Sequence, residues 1–338
     1  MPAVPRIGTL PSGRRDAITD VAGVTVGHAT LADGEVQTGV TVLRPHGGDP
    51  FLQRVPAGFA VLNGFGKSVG LLQVEELGVL ETPIALTNTF SVPAVAAAQI
   101  RQCIAANPEC GRSLPTVNPL VFECNDGFLN DIQRMAVGER HYLQAWASAG
   151  EDMAQGSVGA GRGMSCFSLK GGIGTASRRA DTHTVGTLVL ANFGLLPNLL
   201  VAGQPVGRRL ATEQRAEAEK GSIIMLVATD APLDARQLRR LALRAGAGLA
   251  RTGSVFGHGS GDIAFAFSTA YTLPQQREAP MPAVALLHDG LLDGLFQAAA
   301  DSTEQAILHA LWQAEPVTGR AGHVRPALSA LLSELPSS

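Results

Sequence analysis

Gly221-Ser222-Ile223-Ile224-Met225-Leu226-Val227-Ala228-Thr229-Asp230-Ala231-Pro232-Leu233 is the stretch on which the fold turns. Ile223 to Ala228 is wholly apolar and rich in β-formers, which reads as a strand buried on both faces. Directly behind it, Ala231, Pro232, Leu233 and Asp234 open a helix whose Leu238, Leu241, Ala242, Ala245 and Leu249 recur at spacings of three and four. In front of it, the stretch from Pro205 to Lys220, with VGRRLATEQRAEAEK, is dense in charge in a chain otherwise poor in it, and is expected in solvent. Gly221 and Ser222 therefore stand where an exposed segment meets the core. A serine hydroxyl is a weak nucleophile without a base, and an amino group on the same residue becomes that base once the preceding peptide bond is broken. Glycine before it tolerates strained backbone. Taken by itself, however, Gly-Ser ahead of a strand is an ordinary turn.

Working outward, Val24 to His28, Gly39 to Leu43, Phe59 to Leu62, Cys166 to Leu169, Val185 to Phe193 and Asp262 to Ser268 read as strands. Gly70 to Leu80, Pro93 to Ala106 and Leu291 to Ala314 read as helices. The mixture is an α+β chain with layered packing. Of the 338 residues, 45% are hydrophobic and only 16% charged, which predicts a large interior or subunit interfaces. A net charge of -3 without a basic run argues against nucleic acid or an anionic membrane as partner. No stretch approaches the ~20 apolar residues of a membrane span, and the N-terminus lacks a signal-type apolar run, so a cytoplasmic protein is expected. The four cysteines form no CxxC pair, and the eight histidines show neither HxH nor HExxH spacing, so neither a disulfide scaffold nor a metal site is expected.

Seven ordered blocks then carry a resemblance over nearly the whole chain: DVAGVTVGH (Asp20 to His28), LETPIALTNT (Leu80 to Thr89), ECNDGFLND (Glu123 to Asp131), GSVGAGRGMSCFSLKGGIGTASR (Gly156 to Arg178), ANFG (Ala191 to Gly194), GSIIMLVATDAPL (Gly221 to Leu233) and SGDIAFAFST (Ser260 to Thr269). With them the chain resembles the L-aminopeptidase D-Ala-esterase/amidase (DmpA) and β-aminopeptidase family of self-processing N-terminal-nucleophile hydrolases. The resemblance implies one hydrolase domain over the whole chain, a four-layer αββα sandwich of the DmpA and ornithine-acetyltransferase-like type. It implies that Ser222 attacks the carbonyl of Gly221, leaving Met1 to Gly221 and Ser222 to Ser338 as two chains in one globule. Related pantetheine and nylon-oligomer hydrolases use threonine at this place, so serine points to the aminopeptidase branch.

Residue by residue, the resemblance makes Asn192 the oxyanion-hole donor. It makes Ser260 and Asp262 the pair beside the nucleophile, two apart on a strand and so on one face, which is expected to meet Ser222. Asp262 is shorter than the glutamate frequent there. Glu123 matches the carboxylate that receives a substrate's free amino group. Asn125 is a candidate for the same group, with a turn or capping role for Asn125 and Asp126 as the alternative. Gly159, Gly161 and Gly163 are expected in a wall of the cleft. Implied substrates are small peptides, amino-acid amides or esters with a free amino group on a β-, D- or L-residue. No cofactor is implied, and the implied assembly is a tetramer of cut protomers. Two rivals remain: a catalytically degenerate member that binds a small amine or peptide, and an α/β-hydrolase-type esterase whose GxSxG, Gly66 to Gly70, supplies Ser68. The same segment misses the phosphate-binding loop at Val61 and the dinucleotide spacing by one residue.

Overall fold

In the computed structural model of the chain, which describes residues 3–211 and 220–334, three stacked cores separate four layers. The first sheet runs in the order β1 (Thr25–Asp33), β2 (Val36–Arg44), β4 (Ile84–Asn88), β5 (Leu120–Cys124). The second is built on β3 (Gln53–Gly64), β9 (Gly259–Ser268), β8 (Lys220–Thr229), β7 (His183–Asn192) and β6 (Gly172–Ala180), in that order. Within it, only the β8 and β9 pair is parallel, joined through α4 (Ala235–Arg251).

Each strand of the second sheet sends alternate residues to two different cores, as a pleat requires. From β8, Ile224, Leu226 and Ala228 meet Phe122 and Leu86 of the first sheet, while Ile223, Met225 and Val227 meet Leu238, Leu241 and Ala245 of α4. Being covered on both sides is why its sequence runs apolar without alternation. Phe122 and Phe265 touch edge to face between the sheets, ring centroids 5.8 Å apart. On the outer side of the first sheet, Val40, Val42 and Val121 pack under α2 (Val92–Ala106) and α3 (Glu139–Ala147). On the outer side of the second lie α4 and α5 (Asp293–Trp312). The architecture is the αββα sandwich that the resemblance implied.

Local signals account for α4. Asp234 accepts from the Gln237 amide at 2.7 Å and Gln237 Oε1 accepts from the Asp234 amide at 3.1 Å, a reciprocal capping box. Where α5 crosses β6, a Cβ on Gly174 would lie 1.9 Å from the Ala306 carbonyl, so only glycine lets the helix seat so closely. Cys166 to Leu169, expected as a strand, is instead a hairpin turn between the short strands Ser165–Cys166 and Leu169–Lys170. Phe167 and Ser168 both adopt positive φ, 53° and 61°, as a two-residue turn demands. Of the polar stretch between Pro205 and Lys220, Val206–Leu210 forms one short helix, and 212–219 lie outside the described residues. Among the described residues no helix is long and apolar enough to cross a membrane.

Candidate active site

Ser222 stands near the head of β8, third in that strand and 6% exposed, and its surroundings follow from strand register. Across the antiparallel β7 ladder it is paired with Asn192, and across the parallel β9 ladder with Gly261. Paired residues share a face, so Asn192 and Ser222 both face the inter-sheet core. The Gly261 amide donates to Ser222 Oγ at 3.1 Å. Gly221 adopts φ +154°, and a Cβ on it would lie 2.0 Å from the Asn192 carbonyl oxygen. The glycine is therefore required by both backbone conformation and space, and the peptide bond between Gly221 and Ser222 is flanked by the residues paired with it.

Asn192 is held by two backbone groups. Its Oδ1 accepts from the Ser165 amide at 2.8 Å, and its Nδ2 donates to the Asn125 carbonyl at 3.0 Å, which fixes which end of the amide is which. An amide NH2 has two hydrogens, so one remains to donate toward an oxyanion. Ser165 is paired across its hairpin with a buried lysine. Lys170 Nζ donates to the carbonyls of Gly161 (2.8 Å), Met164 (2.9 Å) and Gly171 (2.6 Å), placing all three ammonium hydrogens on backbone. Burial, reinforced by the Arg162 charge, pushes the Lys170 ammonium well below the usual lysine range.

Glu123, at the end of β5 and 3% exposed, accepts from the Lys67 amide at 2.7 Å and from the Thr89 hydroxyl. Among the described residues it forms no ion pair. A Cβ placed on Gly66 would lie 3.6 Å from Glu123 Oε1 and 3.8 Å from the Gly261 Cα. One glycine thus separates the carboxylate from the residue that holds the Ser222 hydroxyl. Two donors leave lone pairs on the carboxylate for a further cation. Next in the chain, Asp126 is held by burial up to about 7, with Asn130 Nδ2 donating to its Oδ1 at 3.0 Å.

The structure differs from the sequence expectations at four places. Ser260 and Asp262 do share a face, joined by a 2.5 Å hydrogen bond from Ser260 Oγ to Asp262 Oδ1, but that face does not meet the Ser222 hydroxyl. Ser260 pairs with Gly221 and Asp262 with Ile223, so their side chains lie on the helix side of the sheet and bracket the backbone of Ser222. The hydroxyl's contact comes from Gly261, between them. Asn125 Oδ1 accepts from the Gly127 amide at 2.9 Å, the turn role given as the alternative, and its carbonyl holds Asn192. Gly159, Gly161 and Gly163 are buried and pack closely rather than lining the cleft beside Ser222: a Cβ would meet Thr41, the Ile173 amide and the Gln37 carbonyl at 2.5, 2.6 and 2.2 Å. Ser68 sits in the connection from β3 to α1 (Leu71–Leu77), in a sheet without the parallel order of an α/β-hydrolase, and its hydroxyl has no hydrogen-bond partner among the described residues. Its neighbours supply backbone instead: Lys67 to Glu123, Val69 to a bridge with Val121.

A cleft of about 640 Å³ opens beside this centre, bounded by Asn192, Gly221, Phe128, Asp131, Arg320 and Arg325 among others. Thr89, Ser165, Gly261 and Lys170 were not singled out from the sequence. Three of the four carry signals there: Thr89 closes the block LETPIALTNT, and Ser165 and Lys170 lie in GMSCFSLKGG. Gly261 acts through its backbone, which a side-chain reading passes over.

A serine paired with an asparagine amide on the central strand of a four-layer αββα sandwich is the arrangement of an N-terminal-nucleophile hydrolase. Residues 16–325 match the family model of peptidase family S58. β-Peptidyl aminopeptidase BapA of Sphingosinicella microcystinivorans is 40% identical over 342 residues, covering 92% of this chain and 85% of that protein. A solved Burkholderia β-aminopeptidase superposes with a TM-score of 0.91 at 42% identity, covering 97% of this chain and 95% of that one. The L-aminopeptidase D-Ala-esterase/amidase of Ochrobactrum anthropi, described as a variant of the Ntn hydrolase fold, superposes with a TM-score of 0.89 at 35% identity over 98% and 96% of the two chains. The chain belongs to peptidase family S58.

Proposed function

We propose that this chain is a self-processing serine aminopeptidase whose nucleophile is Ser222, made N-terminal by scission of the Gly221–Ser222 bond. Family membership and 40% identity to a β-peptidyl aminopeptidase over 92% of the chain make it an aminopeptidase. The observation that carries the residue assignment is the register at the head of β8, which surrounds Ser222 with Asn192 on one ladder and the Gly261 amide on the other.

In the uncut chain, Ser222 Oγ adds to the Gly221 carbonyl, and the peptide nitrogen leaves as the α-amine of Ser222. Water then hydrolyses the ester. The freed α-amine, with an ordinary pKa near ~8, takes the hydroxyl proton when Oγ attacks a substrate carbonyl and returns it to the leaving amine. Asn192 donates its second amide hydrogen to the developing oxyanion, a contribution of roughly 3 kcal/mol. To Ser260 and Asp262, which bracket the Ser222 backbone, we assign the new ammonium rather than the hydroxyl. Glu123 receives the substrate's amino group, which restricts attack to the bond after an N-terminal residue. The ester of the released residue on Ser222 is hydrolysed by a second water.

Scaling 35.1 kDa by chain length, the two pieces weigh about 23 and about 12 kDa. Denatured mass spectra test the reading: wild type gives both pieces and cleaves an aminoacyl p-nitroanilide, whereas Ser222→Ala stays whole and inactive. Processing or hydrolysis at the wild-type rate in Ser222→Ala overturns it. Substrates of relatives point to short peptides, amides or esters with a free amino end.

A further inference from the structure

We propose that the cleft beside Gly221 is the leaving-group subsite, and that Arg320 receives in it the C-terminal carboxylate of a short peptide, so that the substrates are peptides one or two residues longer than the acyl residue. The inference rests on the assignment of Ser222 and Asn192 above.

Two charged features face opposite halves of a substrate. Glu123 lies against Gly66 and takes no part in the cleft wall, whereas Asn192 and Gly221 do. The wall therefore lies across the scissile carbonyl from the amino-group site, where the leaving amine must go. Asp131 brings the wall's only carboxylate among the described residues, and it is already engaged by Arg134 Nε at 2.9 Å. Arg320 uses its Nε on the Gly127 carbonyl at 3.0 Å and forms no ion pair among the described residues, which leaves the outer edge of its guanidinium toward the cleft. A guanidinium fork matches a carboxylate in two parallel hydrogen bonds.

Arg325 lines the same wall. Its guanidinium lies 3.7 Å over the Phe128 ring, which stacks on His323 at 4.6 Å, and its Nε donates to Ser165 Oγ at 3.1 Å. Ser165 is the residue whose amide orients Asn192. The cationic wall thus begins one residue away from the oxyanion donor. Arg320 joins the same wall two residues along the loop from the oxyanion donor's partner, its Nε on the Gly127 carbonyl while the Asn125 carbonyl holds Asn192, so a leaving group of one or two residues, at about 3.3–3.6 Å per residue, carries its carboxylate to it. Phe128, covered on its faces by Arg325 and His323, presents only its edge to the side chain on the way.

The test compares, on cut wild-type protein, kcat/KM for an alanyl dipeptide or tripeptide with a free carboxylate and for the same peptide as its C-terminal amide, with an alanyl p-nitroanilide alongside. The acid is expected to exceed the amide by about 10- to 100-fold, the range of a charge-assisted pair. In Arg320→Met the ratio should fall to within about threefold of one, and in Arg320→Lys it should stay above that of Arg320→Met. The ratio is internal to each variant, so a loss of folded fraction does not alter it. A wild-type ratio near one, or a ratio unmoved in Arg320→Met, overturns the subsite. Cut protein that hydrolyses none of the three compounds overturns the aminopeptidase reading instead.

Discussion

Replacing Asn192 with alanine separates the chemistry of the site from its architecture. The side chain is 5% exposed and makes two hydrogen bonds, from the Ser165 amide and to the Asn125 carbonyl. Truncation orphans both backbone groups, at about 1–3 kcal/mol each where water cannot reach. Ser165 and Asn125 border the open cleft, so water replaces much of the lost amide and the net destabilisation should lie near about 2 kcal/mol. A domain stable by about 5–15 kcal/mol remains folded. The transition state has no such substitute: loss of one preorganised oxyanion donor lowers kcat by about 10²–10³, equivalent to about 3–4 kcal/mol. The same hydrogen is proposed for the oxyanion on Gly221 during self-cleavage, so processing should slow as well. The assay follows the appearance of the two pieces by denatured mass spectrometry after synthesis, then kcat/KM per cut protomer on an aminoacyl p-nitroanilide, with a urea titration beside it. Asn192→Asp keeps the shape but opposes the Asn125 carbonyl and the oxyanion with charge, and should be no better than alanine. If Asn192→Ala processes and hydrolyses within about fivefold of wild type, Asn192 is not the donor, whatever its stability.

Two further outcomes follow from the same geometry. Gly221→Ala forces a side chain into φ +154° with its Cβ 2.0 Å from the Asn192 carbonyl oxygen, so the ladder must shift; processing should slow at least ~10-fold, read as persistence of the uncut band, and normal processing would contradict the geometry. His28, in β1, has Nδ1 against Thr41 Oγ1 at 2.9 Å and Nε2 against the Ala154 carbonyl at 3.1 Å, and burial lowers its pKa from 6.5 to about 4. Its neutral form is favoured by folding, so its contribution is complete above pH 6.5 and is lost as pH falls through about 4, at most about 3 kcal/mol. Asp126, raised to about 7, works with the opposite sign, its contribution present below the ordinary carboxylate range and lost as pH rises through 7. Urea midpoints of wild type and His28→Gln at pH 7.5 and 4.5 isolate the histidine: the acid loss should shrink in the variant, and an identical loss in both refutes the assignment.

How far each element is legible in the sequence depends on where its signal originates. β8, β7, β9 and α4 were legible because their burial is recorded in their own composition, as apolar runs or three-and-four spacing. β6 was not, since GIGTASRRA reads as loop: its glycine at 174 serves a helix lying on it, and Arg178 is buried yet satisfied by the Ile7 carbonyl, Asp16 and Gln305. β4 and β5 are not legible as strands, because five residues that include a buried polar one, Asn88 in the first and Glu123 in the second, have no period to count. The candidate residues came from the resemblance, and the structure supplies what a resemblance cannot: that Gly261 rather than Ser260 or Asp262 touches the hydroxyl. That distinction depends on the register of a parallel pair joined through a helix, which no local pattern encodes. Asn125 shows the converse, a polar side chain in the right block that serves its own turn.

The first residue of the small piece decides whether Ser222 is the nucleophile. Incubating cut protein with a slowly deacylating aminoacyl ester, quenching in acid and sequencing the roughly 12 kDa piece should give Ser-Ile-Ile-Met at its N-terminus, with the added acyl mass confined to the peptide that begins at Ser222. An intact chain that still turns over the ester, or an acyl group on any other residue, contradicts it.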